Sequence, residues 1–173
     1  MRNLANEKIV IDNCVLSNFA RADRLDLLLR FPCEIFTTRE VYEENINSKD
    51  GNCSKETKNK LLKVLNLIDS NHILIKSASE MESLVLLADL QEIRPLGIGE
   101  ISCMVLAREM DAIFVTDERR ATNEAKRRGI KTLDTTEHKG TKLLLNHLLE
   151  NKIISPEDYK EIQNYLSTNG FVF

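Results

Sequence analysis

Two carboxylates in this sequence stand directly after short apolar segments rich in β-branched residues. Asp12 ends the segment 8–12, and Asp117 follows the segment 112–116. Such segments are typical of buried strands, and in open α/β sheets ligands bind at the carboxyl ends of the strands. The pattern therefore predicts that the two strands are neighbours and that Asp12 and Asp117 meet at one crevice.

Two further acids occupy positions that differ from ordinary surface charges. Glu100 follows the run LGIG at 96–99 and begins a helical pattern, whereas Glu44 follows Thr38 and Val41 at helical spacing. Taken singly, each of the four acids also fits an ordinary role as a helix cap, a dipole partner, a turn residue or a solvated charge. Glu40 and Glu43 stand so near Glu44 that the sequence leaves the second acid open among these three.

Converging carboxylates have a restricted chemistry. Two unit charges about 4 Å apart repel by roughly 4 kcal/mol at an effective dielectric of 20, so a cluster needs protons or cations. Oxygen ligands without His or Cys favour Mg²⁺ or Mn²⁺ over zinc. These ions suit phosphodiester hydrolysis, because they polarise a phosphoryl oxygen and lower the pKa of an attacking water.

Composition describes an ordinary soluble protein of 173 residues with a net charge of −3. Any binding of nucleic acid must therefore depend on a local basic patch. The four cysteines, Cys14, Cys33, Cys53 and Cys103, include no C-x-x-C pair, which favours free thiols in a reducing cytosol. We find neither a signal peptide nor an apolar run long enough to span a membrane, so we expect a cytoplasmic protein.

The elements that must position the acids alternate between apolar and helical patterns. The predicted strands are 8–12, 34–36, 72–75, 112–116 and 131–133, and the first intervening helix is predicted over 15–29. This alternation predicts an α/β fold, a three-layer α/β/α sandwich around a central parallel sheet of four to five strands. We expect a single domain over 1–173, with a core at about 8–135 and a C-terminal helical extension at about 139–173.

Four sequence stretches, taken in order, resemble a known family. They are IVIDNCVLSNF at 9–19, Thr38-x-x-Val41-x-x-Glu44, LGxGE at 96–100 and VTDER at 115–119. The chain resembles the PIN-domain endoribonucleases, of the kind found as the toxin of prokaryotic VapBC-type modules. The resemblance covers about residues 8–135, and the leucine-rich helix with Gly170-Phe171 is similar to the tail of one PIN subgroup.

The resemblance implies a catalytic site and its cofactor. Asp12, Glu44, Glu100 and Asp117 match the acidic quartet that binds Mg²⁺ or Mn²⁺. Asn13, Thr116 and Glu118 are auxiliary candidates beside these acids. Cys14 stands where a Ser or Thr is commoner, which removes a hydroxyl that could bond a water on the metal. The implied substrate is RNA; an antitoxin protein and a homodimer are open as partners, and a membrane is not implied.

A cluster of basic residues follows the fourth acid. Arg119, Arg120, Lys126 and Arg127 could position RNA through its phosphates without reading sequence. The same residues could equally form a solvated helix face with partners at i+4. Arg119 and Arg120 are the better candidates, because they lie nearest the acids in the sequence.

Two other function classes stay open. One is a catalytically silent PIN-like module that holds RNA or a protein, which differs from an enzyme by showing no turnover. The other is a phosphotransferase with Asp12 as nucleophile, testable on a small phosphoester. That chemistry usually needs a second Asp two residues on, where this chain has Cys14.

Overall fold

A parallel sheet of four strands forms the centre of the protein. The computed structural model describes residues 4–50, 55–91, 96–135, 140–168 and 170–171. The strands are β1 (Lys8–Ile11), β2 (Glu34–Thr37), β3 (Leu74–Ile75) and β4 (Ile113–Val115), in the spatial order β3-β2-β1-β4. Every pairing is parallel. The predicted parallel sheet is therefore confirmed, and β1 and β4 are neighbours.

The fifth predicted strand, 131–133, is reduced to one bridge. Thr132 pairs in parallel with Phe114. Phe114 makes both backbone hydrogen bonds of this bridge, since its N–H donates to the carbonyl of Lys131 and its carbonyl accepts from the N–H of Leu133. The prediction of a strand was wrong in extent, since the chain pairs only at Thr132, whose hydroxyl donates a hydrogen bond to the carboxylate of Asp134.

Eight α-helices and one 3₁₀ helix lie in the described ranges. They are α1 (Asn13–Arg21), the 3₁₀ helix (Leu25–Arg30), α2 (Arg39–Asp50), α3 (Lys55–Asp69), α4 (Met81–Gln91), α5 (Ile98–Glu109), α6 (Arg119–Arg127), α7 (Gly140–Glu150) and α8 (Pro156–Thr168). The single helix predicted over 15–29 is wrong. The chain leaves α1 at Ala22 and turns at Asp23, whose φ of 54° lies in the left-handed region.

Helices cover both faces of the sheet. Ile9, Val10 and Ile11 are each 0% exposed, although successive strand residues point to opposite faces. The same holds for Ile113, Phe114 and Val115 in β4. Apolar runs buried on both faces are typical of parallel α/β sheets, so these strands confirm the three-layer prediction.

The C-terminal leucines belong to this core. Leu143, Leu144, Leu145 and Leu148 on α7 are buried, and Phe171 packs against the same cluster. The residues 172–173, which close the predicted tail, lie outside the described ranges. None of the described helices is both long and apolar enough to cross a membrane.

Candidate active site

Asp12 stands at the junction of β1 and α1. Its side chain caps α1 by accepting a hydrogen bond from the backbone N–H of Val15 (3.2 Å). The thiol of Cys14 donates to Oδ1 at 2.9 Å, and the hydroxyl of Thr116 donates to Oδ2. Strand and helix thus hold the carboxylate from several sides, so that its position is fixed by the fold.

This carboxyl is 1% exposed, and burial raises its pKa from 3.8 to about 7. The hydrogen bonds from Cys14, Thr116 and Val15 lower the pKa again, while the negative charge of Asp117 adds to the rise. The fold therefore holds a carboxylate that is costly to ionise when no cation is near it.

Four acids face one pocket. The cavity has a volume of about 300 Å³, and its acidic lining residues are Asp12, Glu44, Glu100 and Glu118. We call this cavity the acid pocket. A water in the liquid occupies about 30 Å³, so the acid pocket has room for a hydrated cation together with a phosphate group.

Glu44 is held in the acid pocket by two hydrogen bonds. The backbone N–H of Gly99 donates to Oε1 (3.1 Å), and Nδ2 of Asn13 donates to Oε2 (3.3 Å). Glu43 is exposed and instead accepts a hydrogen bond from Arg39 at 2.9 Å. Of the three neighbouring glutamates, Glu44 is the one among the lining residues, which supports its choice as the second acid.

Gly99 leaves space that the Glu44 carboxylate fills. A Cβ built on Gly99 would lie 2.6 Å from Oε1 of Glu44 and 2.9 Å from its Cδ. We expect Gly99→Ala to displace this carboxylate and to weaken divalent-cation binding by about tenfold or more, because a shift of a few tenths of an ångström disrupts ligand geometry. Titration with Mn²⁺, followed by melting temperature, measures the change.

Gly97→Ala is the matched control for Gly99→Ala. A Cβ on Gly97 would meet Oε2 of Glu100 at 3.8 Å, an ordinary contact. Its backbone, at φ −76° and ψ 154°, suits alanine. Equal Mn²⁺ affinities in the two variants would contradict the role of Gly99.

Glu100 lies in the first turn of α5, where its Oε2 accepts a hydrogen bond from the N–H of Gly97 (2.9 Å). Burial raises its pKa, and the charges of Glu118 and Glu44 raise it further, against that hydrogen bond. The three carboxylates therefore lie close enough for their negative charges to repel one another.

Asp117 is placed beside Asp12, but its carboxylate is directed toward α7. Oδ1 accepts from the N–H of Thr141 (2.9 Å), and Oδ2 accepts from Nδ2 of Asn18 (2.9 Å) and from the Thr141 hydroxyl. Asp117 is not among the lining residues of the acid pocket, whereas Glu118 is. The structure thus brings Asp12, Glu44 and Glu100 to one cavity and adds Glu118, with Asp117 as a charged neighbour.

One face of α1 contributes polar residues to the acid pocket, among them Ser17, Asn18 and Arg21, which the sequence did not single out as site candidates. The acid pocket is also lined by Asn13, Cys14, Ser17, Asn18 and Arg21. Asn13 was an auxiliary candidate, and the structure connects its Oδ1 to the buried Asn45 through Nδ2 (3.0 Å). Asn13, Ser17 and Arg21 follow one another at intervals of four residues, a spacing that places them on one helix face.

Two of the four basic candidates are engaged within the protein. Lys126 forms an ion pair with Asp134, and Arg127 donates to Glu124 at 2.8 Å. Arg119 and Arg120 are exposed on the first turn of α6, directly after Glu118. Contact of these two residues with RNA phosphates stays a prediction.

The donor set of the acid pocket fits a hard divalent cation. Four carboxylates supply the oxygen ligands that Mg²⁺ and Mn²⁺ prefer. Within the described residues, no three His, Cys or carboxylate side chains already surround a common point. Binding would therefore need Glu44 and Glu100 to exchange their present hydrogen bonds for the cation, whereas the position of Asp12 is fixed by the fold.

One solved structure shows the same fold as this chain. The structure of VapBC-1 from nontypeable Haemophilus influenzae matches with a TM-score of 0.54 and 11% identity, covering 73% of this chain and 97% of that chain. A domain of a functionally unknown protein from Methanocaldococcus jannaschii DSM 2661 matches with a TM-score of 0.46 and 20% identity, covering 77% and 95%. A search of curated proteins found no match to the sequence.

A family model decides the classification. The model described as a PIN domain (DUF3368) matches residues 8–173. This match includes all four stretches on which the resemblance rests and the C-terminal helices. The chain belongs to the PIN-domain family.

Proposed function

We propose that this protein is a divalent-metal-dependent endoribonuclease that hydrolyses RNA phosphodiester bonds. The observation that carries the proposal is the acid pocket, in which buried Asp12 meets Glu44 and Glu100 at the carboxyl edge of the sheet. PIN domains are generally nucleases, so the family supports the same reaction class.

The cation in this proposal is Mg²⁺ or Mn²⁺. Asp12, Glu44 and Glu100 of the acid pocket would hold it, with Asp117 beside the pocket as the fourth acid and Glu118 as an auxiliary acid. When bound, the cation supplies Lewis-acid stabilisation of phosphoryl charge and a lower pKa for an attacking water.

The protein's own residues prepare the site for this reaction. Hydrogen bonds from Val15, Cys14 and Thr116 keep Asp12 in place. The carboxylate is therefore already oriented when the protein folds and need not be reoriented in each catalytic cycle. Thr116 also accepts the N–H of Glu118 (3.0 Å), which links the auxiliary acid to the Asp12 carboxylate. These contacts give Thr116 and Cys14 positioning roles.

The Cys14 thiol takes a place where a hydroxyl is commoner. It donates to Asp12 and accepts the N–H of Asp117 at 3.2 Å, which ties the ends of β1 and β4 together. Burial has the largest effect on the pKa of this thiol and raises it, and the negative charge of Asp12 raises it further. Cys14 therefore acts in the proposal as a neutral hydrogen-bonding residue.

Direct incubation with RNA tests the proposal. Mixed single-stranded RNAs should be cut internally in the presence of Mn²⁺ and remain intact in EDTA. RNA that stays intact under both conditions, in a preparation with bound cation, would favour the alternative of a silent binding module.

The toxin role is part of this proposal. An antitoxin protein is the expected partner, by analogy with the VapBC-1 match, and a homodimer is a second expected assembly. Coexpression with the product of a neighbouring reading frame, followed by a cleavage assay, tests the antitoxin, because a true antitoxin should suppress cleavage.

We expect Mn²⁺ to raise the melting temperature of the wild-type protein. A ligand that binds only the folded state stabilises it by about 2.7 kcal/mol at 100 times its dissociation constant. For a chain of this length that corresponds to roughly 5–10 °C. Differential scanning fluorimetry across a Mn²⁺ series measures the shift.

Asp12→Asn provides the comparison for this experiment. The variant should show a much smaller shift, since it lacks the fixed charged ligand. An equal shift in both proteins would place the bound ion outside the acid pocket.

A further inference from the structure

One cation lies among the described residues that line the otherwise acidic pocket. Arg21 belongs to the last turn of α1 and is exposed. Asn13 and Ser17 precede it at intervals of four residues on the same helix face, and both also line the acid pocket. Along this face of α1, polar side chains therefore connect the Asp12 carboxylate at the start of the helix with the Arg21 guanidinium at its end.

The length of α1 sets the scale of this arrangement. Arg21 lies nine residues after Asp12, which corresponds to about 14 Å along a helix axis. A side chain at that distance is poorly placed for the oxygens that bind a cation at Asp12. It is well placed for a flanking phosphate of an extended strand that passes through the site.

The basic residues on α6 are less suited to this contact, because none of the four basic candidates there lines the acid pocket, whereas Arg21 does. A strand that reaches Asp12 must pass the three other carboxylates of the acid pocket, and a cation on the pocket wall offsets part of their repulsion. Arginine also binds phosphate through two parallel N–H donors, which fixes orientation as well as affinity.

The structure assigns Arg21 as a substrate-binding residue that contacts a backbone phosphate next to the scissile bond, an inference that rests on the proposed ribonuclease function. A single-stranded RNA is the substrate this contact favours, because an extended strand that lies along α1 can reach the acids and Arg21 together. Arg21 thus adds a phosphate-binding position to the site beyond the carboxylates that would hold the cation.

The test is a steady-state analysis of Arg21→Gln with a quenched fluorescent single-stranded RNA and saturating Mn²⁺. A charge-assisted phosphate contact corresponds to about tenfold to a hundredfold in KM, with kcat within about threefold of wild type. The slope of log kcat/KM against log salt should fall by about 0.7, the change for one phosphate contact on a single strand. Arg21→Lys should give an intermediate KM, because it keeps the charge and the favourable position at the helix C-terminus.

Two further measurements separate this role from a structural one. Arg30→Gln, which removes an exposed arginine paired with Asp26 at 3.0 Å outside the acid pocket, should leave KM and salt slope unchanged. Mn²⁺ should bind Arg21→Gln at least as tightly as wild type, since the variant removes a positive charge from the pocket wall.

The outcomes distinguish the inference from the proposed function. If Arg21→Gln has the wild-type KM and salt slope, or loses kcat without a change in KM, Arg21 does not bind the substrate and the nuclease proposal stands. If the wild-type protein leaves RNA intact in Mn²⁺, the proposed function fails and the inference fails with it.

Discussion

Asp12→Asn is expected to reduce RNA cleavage by at least about a thousandfold while the protein remains folded. The substitution keeps the shape of the side chain and an oxygen that can still cap α1 at Val15. It removes the charge from the only acid of the proposed site that is fully buried. Loss of a cation that stabilises transition-state charge costs several kcal/mol, which corresponds to this rate effect.

Cleavage rates in Mn²⁺, measured beside circular dichroism spectra, check this prediction. Glu43→Gln is the matched control, because Glu43 is exposed on the neighbouring helix and pairs with Arg39 instead of lining the acid pocket. Glu100→Gln and Asp117→Asn should follow Asp12→Asn in activity. Wild-type cleavage by Asp12→Asn in a nuclease-free preparation would refute the mechanism.

Asp12→Asn is also expected to be more stable than the metal-free wild-type protein at alkaline pH. The folded-state pKa of Asp12, about 7, lies above its ordinary value of 3.8, so the folded state binds more protons between these values. The Asp12 carboxyl therefore makes its full contribution to the free energy of unfolding below pH 4, where it is protonated in both states. This contribution is lost as the pH rises through 7. Asparagine does not titrate, and the stability difference should widen by about 3 kcal/mol between pH 5 and pH 8.

Urea unfolding of both proteins in EDTA at pH 5 and pH 8 provides the measurement. Comparing the difference between the two proteins cancels the other titrating groups. Addition of Mn²⁺ at pH 8 should stabilise the wild type selectively, since a cation supplies the charge compensation that burial removes. A difference that stays constant with pH would show that the Asp12 carboxyl is not desolvated in the folded protein.

The opposing effects on activity and stability have one physical cause. A buried carboxylate with a raised pKa is unfavourable for the metal-free fold, yet the same burial strengthens its attraction to a cation. Proteins store such unfavourable groups at functional sites. The pairing of lost activity with gained metal-free stability would therefore be hard to explain by a purely structural role for Asp12.

The sequence by itself determined the parallel sheet and the place of the first acid. Apolar runs ending in Asp12 and Asp117 predicted neighbouring strands, because burial on both faces requires continuous apolar residues. The structure confirms this in the pairing of β1 with β4. The pattern was less reliable over 131–133, where three residues cannot show whether a strand pairs along its length or at one residue.

Tertiary structure decided which side chains share the acid pocket. Neighbouring positions such as Glu43 and Glu44, or Asp117 and Glu118, have the same chemistry and differ only in the direction in which the backbone points them. Gly99, Asn18 and Thr141 select among them through contacts with residues distant in the sequence. The helix period places Arg21 on the face of α1 that follows Asp12, but only the packing of α1 beside Glu44 and Glu100 makes that face the wall of a pocket.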